Sequence, residues 1–129
     1  MPIAGKPEAV VNKFARGYRA GRYAEIYDLY SEKSEIRSKY SRTAYSSRMR
    51  ITAKRTKMEI QEAHVAGSEV QDDRARVTLI STTKSIVGEW HVEEQFTLIR
   101  EDGDWKILDV KKVRQWPSKE GGTSTRGRL

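Results

Sequence analysis

The chain has 129 residues, of which 36% are hydrophobic and 33% are charged, and it contains no cysteine. This length suits one domain, and the patterned spacing of the apolar residues indicates a folded core rather than disorder. The absence of cysteine excludes disulfide bonds, thiolate nucleophiles and cysteine-ligated zinc in this sequence.

One segment carries the net charge of +7, because residues 36–57 contain eight Lys or Arg side chains and no carboxylate, and the other residues sum to −1. Such clustering is typical of phosphate-binding surfaces, but it also promotes solubility. No apolar run approaches the roughly 20 residues that span a bilayer, and the N-terminal segment lacks the pattern of a signal peptide. As written, the chain is expected to be cytoplasmic, whereas an envelope or secreted location would require a leader that has been removed.

Two helices are predicted before the basic segment. The first covers about residues 7–20, because Pro7 suits the first helical turn and apolar residues recur at helical spacing until Gly21. The second is short and ends near Ser31. Its apolar face consists of Tyr23, Ile26, Tyr27 and Tyr30.

A third helix is predicted from about Ser41 to Arg55, within the basic segment. Four of its cations are candidate anion-binding residues: Arg48, Arg50, Lys54 and Arg55. They surround the helix rather than forming a stripe. Two interpretations stay open: a surface for nucleic acid or another polyanion, and a solvated helix whose long side chains cover a narrow apolar arc. We favour the second.

From Lys57 onward, apolar and polar residues alternate, which predicts strands. The pattern covers residues 57–67, 75–85, 88–102 and 102–113, and Asp102-Gly103 predicts a tight hairpin turn. Helices followed by antiparallel strands indicate an α+β fold, in which N-terminal helices pack on a strongly bent sheet that forms a cone. The expected domain is 7–116, with an N-terminal extension at 1–6 and a flexible C-terminal tail at 117–129.

Two carboxylates are weak catalytic candidates. Glu94 shares a predicted strand face with Trp90 and Phe96, and Asp109 shares one with Trp105. If both carboxylates face the cone, desolvation raises their pKa values and makes either a general base. The alternative is that each pairs with an arginine such as Arg48, or that Asp109 lies near the solvent-exposed end of its strand.

The predicted lining of the cone combines helical and strand residues: Phe14, Tyr18, Tyr27, Tyr30, Tyr45, Met49, Trp90, Glu94, Phe96, Trp105 and Asp109. The six tyrosines lie in the helical half, where they either stack nucleic-acid bases or pack a thin core. His64 and His91 are too few and too far apart to indicate a metal site, and no cofactor is expected. A moderately apolar outer sheet face predicts a homodimer: Ile80, Ile99, Leu108 and Val110.

The helical hairpin ARGYRAGRYAEIYDLYS and the strand pair FTLIREDGDWKILDV resemble the NTF2-like (nuclear transport factor 2-like, cystatin-like α+β) superfamily. The resemblance covers about residues 7–112 and is nearest to small bacterial accessory modules, including the NTF2-like domain of some penicillin-binding transpeptidases. It implies a cone open between the helices and the concave sheet, and often a dimer through the outer sheet face. Enzymes of this superfamily line the cone with matched Asp, His, Tyr or Arg residues, and no such pair aligns here.

The sequence therefore predicts a non-catalytic NTF2-like module that binds a ligand or a protein and has a cone-shaped pocket for a small ligand, which the basic segment allows to be anionic. One alternative is a small pocket enzyme of the isomerase or hydrolase type that uses Glu94 or Asp109. The other is a polyanion or nucleic-acid binder that uses residues 37–57. Because one fold hosts many functions, the fold itself does not choose between them.

Overall fold

The computed structural model describes residues 5–118 as four helices followed by a four-stranded antiparallel sheet. The helices are α1 (Pro7–Ala20), α2 (Tyr23–Tyr27), α3 (Glu35–Lys39) and α4 (Arg42–Thr56). The strands are β1 (Glu59–Gln71), β2 (Arg74–Ser85), β3 (Gly88–Glu101) and β4 (Asp104–Pro117), and they pair in the order β1-β2-β3-β4. The predicted α+β class, with helices first, is confirmed.

The first helical hairpin follows from local backbone chemistry. Gly21 adopts a left-handed φ of 73° after α1, and the N–H of Arg22 donates to the carbonyl of Gly17 at 2.8 Å, which closes a Schellman motif. The second helix is shorter than predicted, because the chain leaves it to pair with β4. Ser31 N donates to the Ile107 carbonyl at 2.8 Å, and Ile107 N donates to the Leu29 carbonyl at 2.8 Å.

Two serines begin the next helices. The Ser34 hydroxyl accepts a hydrogen bond from Arg37 N at the start of α3, and the Ser41 hydroxyl accepts one from Ala44 N at the start of α4. Helix α3 was not predicted, because its five residues are too few for an apolar period. The bounds of α4, Arg42–Thr56, differ by one residue at each end from those predicted for the third helix.

The predicted hairpin at Asp102-Gly103 is present, with φ values of 53° and 86°. Both values are positive, as a type I′ turn requires. Strand β4 continues to Pro117, a residue that the sequence placed in the tail. Ser118, also predicted to be in the tail, is buried and donates its N–H to the Glu89 carbonyl at 3.2 Å. Residues 119–129 of that tail lie outside the described residues, as do residues 1–4.

The helices cover the concave face of the sheet, where α1 packs across β1, β2 and β4. Phe14 from α1 meets Phe96 from β3 in an edge-to-face contact with ring centroids 5.0 Å apart. Around this pair, Val11, Val77 and Leu98 are fully buried. Within residues 5–118, no helix is both long enough and apolar enough to cross a membrane.

Candidate functional site

A cavity of about 330 Å³ lies between α1 and the concave face of the sheet. Most of its lining is apolar: Phe14, Tyr18, Met58, Ile60, Leu79, Ser81, Thr83, Trp90, Val92, Glu94, Lys112 and Gln115. The antiparallel register explains this grouping, because it sets Leu79 opposite Glu94 and Ser81 opposite Val92, and paired residues share a sheet face. We call this space the cone cavity.

Among residues 5–118, Glu94 is the one carboxylate in the lining of the cone cavity. Burial raises the pKa of Glu94, and the positive charge of Lys112, opposite it in the register, offsets part of that rise. Within residues 5–118, Glu94 forms no salt bridge and no side-chain hydrogen bond. Lys112 instead donates to Gln115 Oε1 at 3.0 Å. The Glu94 carboxyl therefore has no partner among the described side chains and can form a hydrogen bond with a guest in the cavity.

Tyr18 adds a hydroxyl to the same cavity. Burial raises the pKa of Tyr18, and Tyr23 and the charge of Glu94 raise it further. The Tyr18 ring packs against Phe14 and Tyr23, with centroids 6.1 Å and 5.8 Å away. Tyr18 thus stays neutral and is held in place by its aromatic neighbours.

The predicted lining divides between the cavity and the core beside it. Phe14, Tyr18, Trp90 and Glu94 line the cone cavity. The other aromatic residues are buried in the core: Tyr27, Tyr30, Tyr45, Phe96 and Trp105. Met49 is half-buried against that core.

The buried tyrosines pack mainly on one another. Tyr45 lies 5.6 Å from Tyr27 and 6.2 Å from Tyr30, measured between ring centroids, and the Tyr27 hydroxyl donates to the Tyr40 carbonyl at 2.5 Å. Burial raises the pKa of Tyr45 to about 12 and that of Tyr30 well above its usual range. These hydroxyls therefore stay neutral in the core.

The prediction that Asp109 faces the cone is wrong. A β-bulge between β3 and β4 shifts the register, so that Ile107 pairs with Leu98 while Asp109 pairs with Thr97. Since one extra residue reverses the alternation, Asp109 is exposed on the outer face of the sheet. The same bulge turns Val110 inward, where it packs against the core.

Sequence reasoning missed much of the polar lining. In β2, Ser81 and Thr83 continue the alternation of Val77 and Leu79, so the period-two signal was sufficient to find them. In β4, the bulge that turns Asp109 outward also turns Lys112 inward, and a second bulge at Val113, opposite Glu93 and Glu94, restores the original alternation at Gln115. No pattern in the sequence marks the first bulge, so the inward direction of Lys112 was not predictable.

The basic segment does not form one free surface. Three of its arginines lie over tyrosine rings, with guanidinium carbons 4.8, 5.5 and 5.9 Å from the ring centroids: Arg37 on Tyr27, Arg48 on Tyr40 and Arg50 on Tyr23. Two cations form ion pairs, Arg42 with Asp28 and Lys39 with Glu35. In the described part of the chain, Lys54, Arg55 and Lys57 are exposed and form no ion pair. Within residues 5–118, the cations of this segment that have neither an ion pair nor a contact with a tyrosine ring therefore lie at the C-terminal end of α4.

A second concavity, of about 390 Å³, lies between α1, α2 and the start of β4. Its charged lining contains four cations and two carboxylates: Lys13, Arg16, Arg22, Lys106, Glu25 and Asp28. Because Arg42 neutralises Asp28 through two hydrogen bonds of 2.8 and 2.9 Å, positive charge predominates there. We call this space the helix cleft.

The outer sheet face is less apolar than predicted. Val110 faces the core, Ile99 is buried, and Ile80 and Leu108 are half-buried. The same face carries an ion pair between Arg114 Nε and Glu93 Oε1 at 2.7 Å. His91 also lies there and is hydrogen bonded through Nδ1 to the Thr82 hydroxyl at 3.1 Å. Within residues 5–118, no group of His, Cys, Asp and Glu has the geometry of a metal site.

Neither a protein-family model nor a curated protein matches the sequence. Solved structures do. A SEC-C motif-containing protein from Rhodopseudomonas palustris is 18% identical with a TM-score of 0.69, over 88% of this chain and 83% of that one. A domain of unknown function with a cystatin-like fold from Nostoc punctiforme is 11% identical with a TM-score of 0.65, over 88% and 77% of the two chains.

An NTF2-like protein of unknown function from Shewanella baltica is 14% identical with a TM-score of 0.58, over 87% of this chain and 92% of that one. This chain has the NTF2-like, cystatin-like fold. The predicted resemblance is therefore confirmed at the level of the fold. Identities this low carry no activity or ligand from one NTF2-like protein to another.

Proposed function

We propose that this NTF2-like chain binds a small, mainly apolar molecule that carries one polar group, with the cone cavity as its site. The observation that carries the proposal is an open, mostly apolar cavity whose single carboxyl, Glu94, is desolvated without a partner among residues 5–118. A buried polar group without a hydrogen-bond partner is costly, so a guest that supplies one gains affinity and orientation. The neutral Tyr18 hydroxyl offers a second polar contact.

The test is a titration of the ¹⁵N-labelled protein with 2-naphthol, an aromatic probe with one hydroxyl. Binding should shift the amide signals of residues whose side chains line the cone cavity. Val92→Phe, which fills the cavity, should weaken binding about tenfold or more. Ile80→Phe is the matched control, because Ile80 lies on the outer face of the neighbouring strand. Equal affinity for the Val92→Phe variant and the parent protein would overturn the proposal.

A proton-transfer enzyme is a second candidate, supported by the raised pKa of Glu94 beside the Tyr18 hydroxyl. The test is deuterium exchange at the acidic C–H positions of 2-tetralone in D₂O, followed by ¹H NMR. Acceleration by the parent protein should be lost in Glu94→Gln and retained in Asp109→Asn, whose carboxylate faces outward. Equal rates with protein and with buffer alone would argue against this activity.

The helix cleft supports a separate proposal for a small anionic ligand. Its four cations come from α1, the α1–α2 turn and β4. Pyrophosphate is a suitable probe, and its binding should weaken as ionic strength rises. Arg16→Gln should reduce the affinity, while Arg19→Gln, the same charge change on the same helix outside the cleft, should not. Equal losses in both variants would indicate only a general charge effect.

Self-association through the outer sheet face also stays a proposal. Half-buried Ile80 and the Glu93–Arg114 ion pair form a patch that is partly apolar and partly charged. Such a patch suits a two-fold symmetric dimer, in which the same patch of each subunit contacts that of the other. Light scattering after size exclusion should give twice the monomer mass for the parent protein. Ile80→Lys should return it to the monomer mass.

A further inference from the structure

The hairpin between β2 and β3 has an unusual tip. Turns normally carry polar residues or glycine, yet Ile86 and Val87 occupy this one and are 67% and 77% exposed. Neither side chain belongs to the hydrophobic core. Two adjacent β-branched residues exposed at a turn form a small apolar patch that another surface can cover.

Three exposed cations lie on one side of this tip. Ile86 N donates to the Thr56 carbonyl at 3.2 Å, which joins the tip to the C-terminal end of α4. Lys54, Arg55 and Lys57 are exposed at that end and form no ion pair within residues 5–118. Lys84 lies next to the turn, but its register partners Glu59 and Glu89 offset its charge.

The opposite end of the sheet carries charges of both signs. The β1–β2 and β3–β4 turns lie there, because neighbouring turns of an antiparallel meander alternate between its two ends. They contain Asp72, Asp73 and Asp102, and three cations lie beside them: Arg74, Arg100 and Lys106. At the end that contains Ile86 and Val87, the three exposed cations of α4 and its C-terminus form no ion pair within residues 5–118. An anionic surface can therefore contact unpaired positive charge and exposed apolar side chains together at that end.

Tryptophans flank the same tip. Trp90 and Trp116 line a shallow depression together with Val87 and Pro117. Trp90 also lines the cone cavity, so the hairpin tip lies beside the cavity mouth. Tryptophan side chains are enriched where a bilayer meets water, because they are apolar with one polar N–H.

We propose that the β2–β3 hairpin tip and the C-terminal end of α4 form a docking surface for an anionic phospholipid bilayer. Ile86 and Val87 enter the interfacial region, while Lys54, Arg55 and Lys57 meet the headgroup phosphates. Docking in this orientation turns the mouth of the cone cavity toward the bilayer. The inference does not depend on ligand binding in the cavity.

The test is co-sedimentation of the full chain with phosphatidylcholine vesicles that contain 30% or no phosphatidylserine. We expect binding to the anionic vesicles, a blue shift of tryptophan emission, and weakening as salt rises. Val87→Ser should reduce partitioning about tenfold. Val70→Ser, a change at an exposed valine near the opposite end of the sheet, should not. The double variant Lys54→Gln/Arg55→Gln should bind the anionic vesicles more weakly than the double variant Lys33→Gln/Arg74→Gln. The second variant is the control, because it removes the same charge near the opposite end of the sheet.

Four results would overturn the inference. Equal binding to neutral and anionic vesicles would show that the cations do not contribute to bilayer binding. Equal partitioning of Val87→Ser and Val70→Ser would show that the hairpin tip does not enter the bilayer. Failure to bind vesicles, with tight binding of a fluorescent oligonucleotide at physiological salt, would assign the basic end to nucleic acid. Failure to bind vesicles, with a dimer that Val87→Ser dissociates, would assign the tip to self-association.

Discussion

Glu94 is a carboxyl that folding removes from water without supplying a partner within the described residues. Burial raises its folded-state pKa above the unfolded value, so ionisation costs more free energy in the folded protein than in the unfolded chain. The contribution of this group to stability is therefore greatest below the unfolded pKa. It falls as the pH rises through the unfolded pKa toward the raised folded one, and stays low above it.

The direction of this pKa shift predicts how the effect of Glu94→Gln on the melting temperature changes with pH. At pH 7 the variant should have a higher melting temperature than the parent, because a neutral amide replaces a desolvated charge. Below pH 4 the difference should shrink, since both states of the parent then bind the proton. Thermal unfolding from about pH 3 to pH 8 tests this, with Glu93→Gln on the outer face as the control. A melting-temperature difference that does not vary with pH would contradict the raised pKa.

At the scale of the elements, the turn at Asp102-Gly103 was the most predictable feature, because its two residues determine its backbone conformation. Gly103 adopts a φ of 86°, so Gly103→Ala should cost about 1 kcal/mol through backbone strain. Gly67 lies in β1 without a positive φ, and a methyl group there meets nothing within 4 Å. Gly67→Ala should be neutral or stabilising, because it lowers the entropy of the unfolded chain. Urea unfolding of both variants tests the contrast, and equal losses would refute it.

The strands show where prediction from sequence fails. Alternation in β2 and β3 gives the correct faces, so Glu94 and Trp90 were placed in the cavity. In β4 the alternation breaks at two bulges, and the sequence does not mark either of them. Each bulge reverses the faces that follow, which is why Asp109 was placed inward and Lys112 was missed. The cavity wall was therefore predictable on two strands and not on β4.

At the scale of the whole molecule, the helices differ in how firmly they are attached. Helix α1 packs across the sheet, and the segment after α2 hydrogen bonds to β4. Helix α4 packs mainly on α2, and Tyr45 is its one fully buried side chain. Few buried contacts mean a low free energy of local opening. Helix α4 should therefore open without unfolding the sheet.

Hydrogen exchange followed by NMR tests this separation. In the parent protein, the amides of α4 should exchange faster than those of β3. Tyr45→Ala removes the ring that contacts Tyr27, Tyr30 and Tyr40, so it should lower protection in α4 at least about tenfold and change β3 much less. Ile51→Ala is the control, because Ile51 lies on the same helix and is 56% exposed. Equal losses of protection in α4 and β3 would mean that the helix and the sheet unfold as one unit.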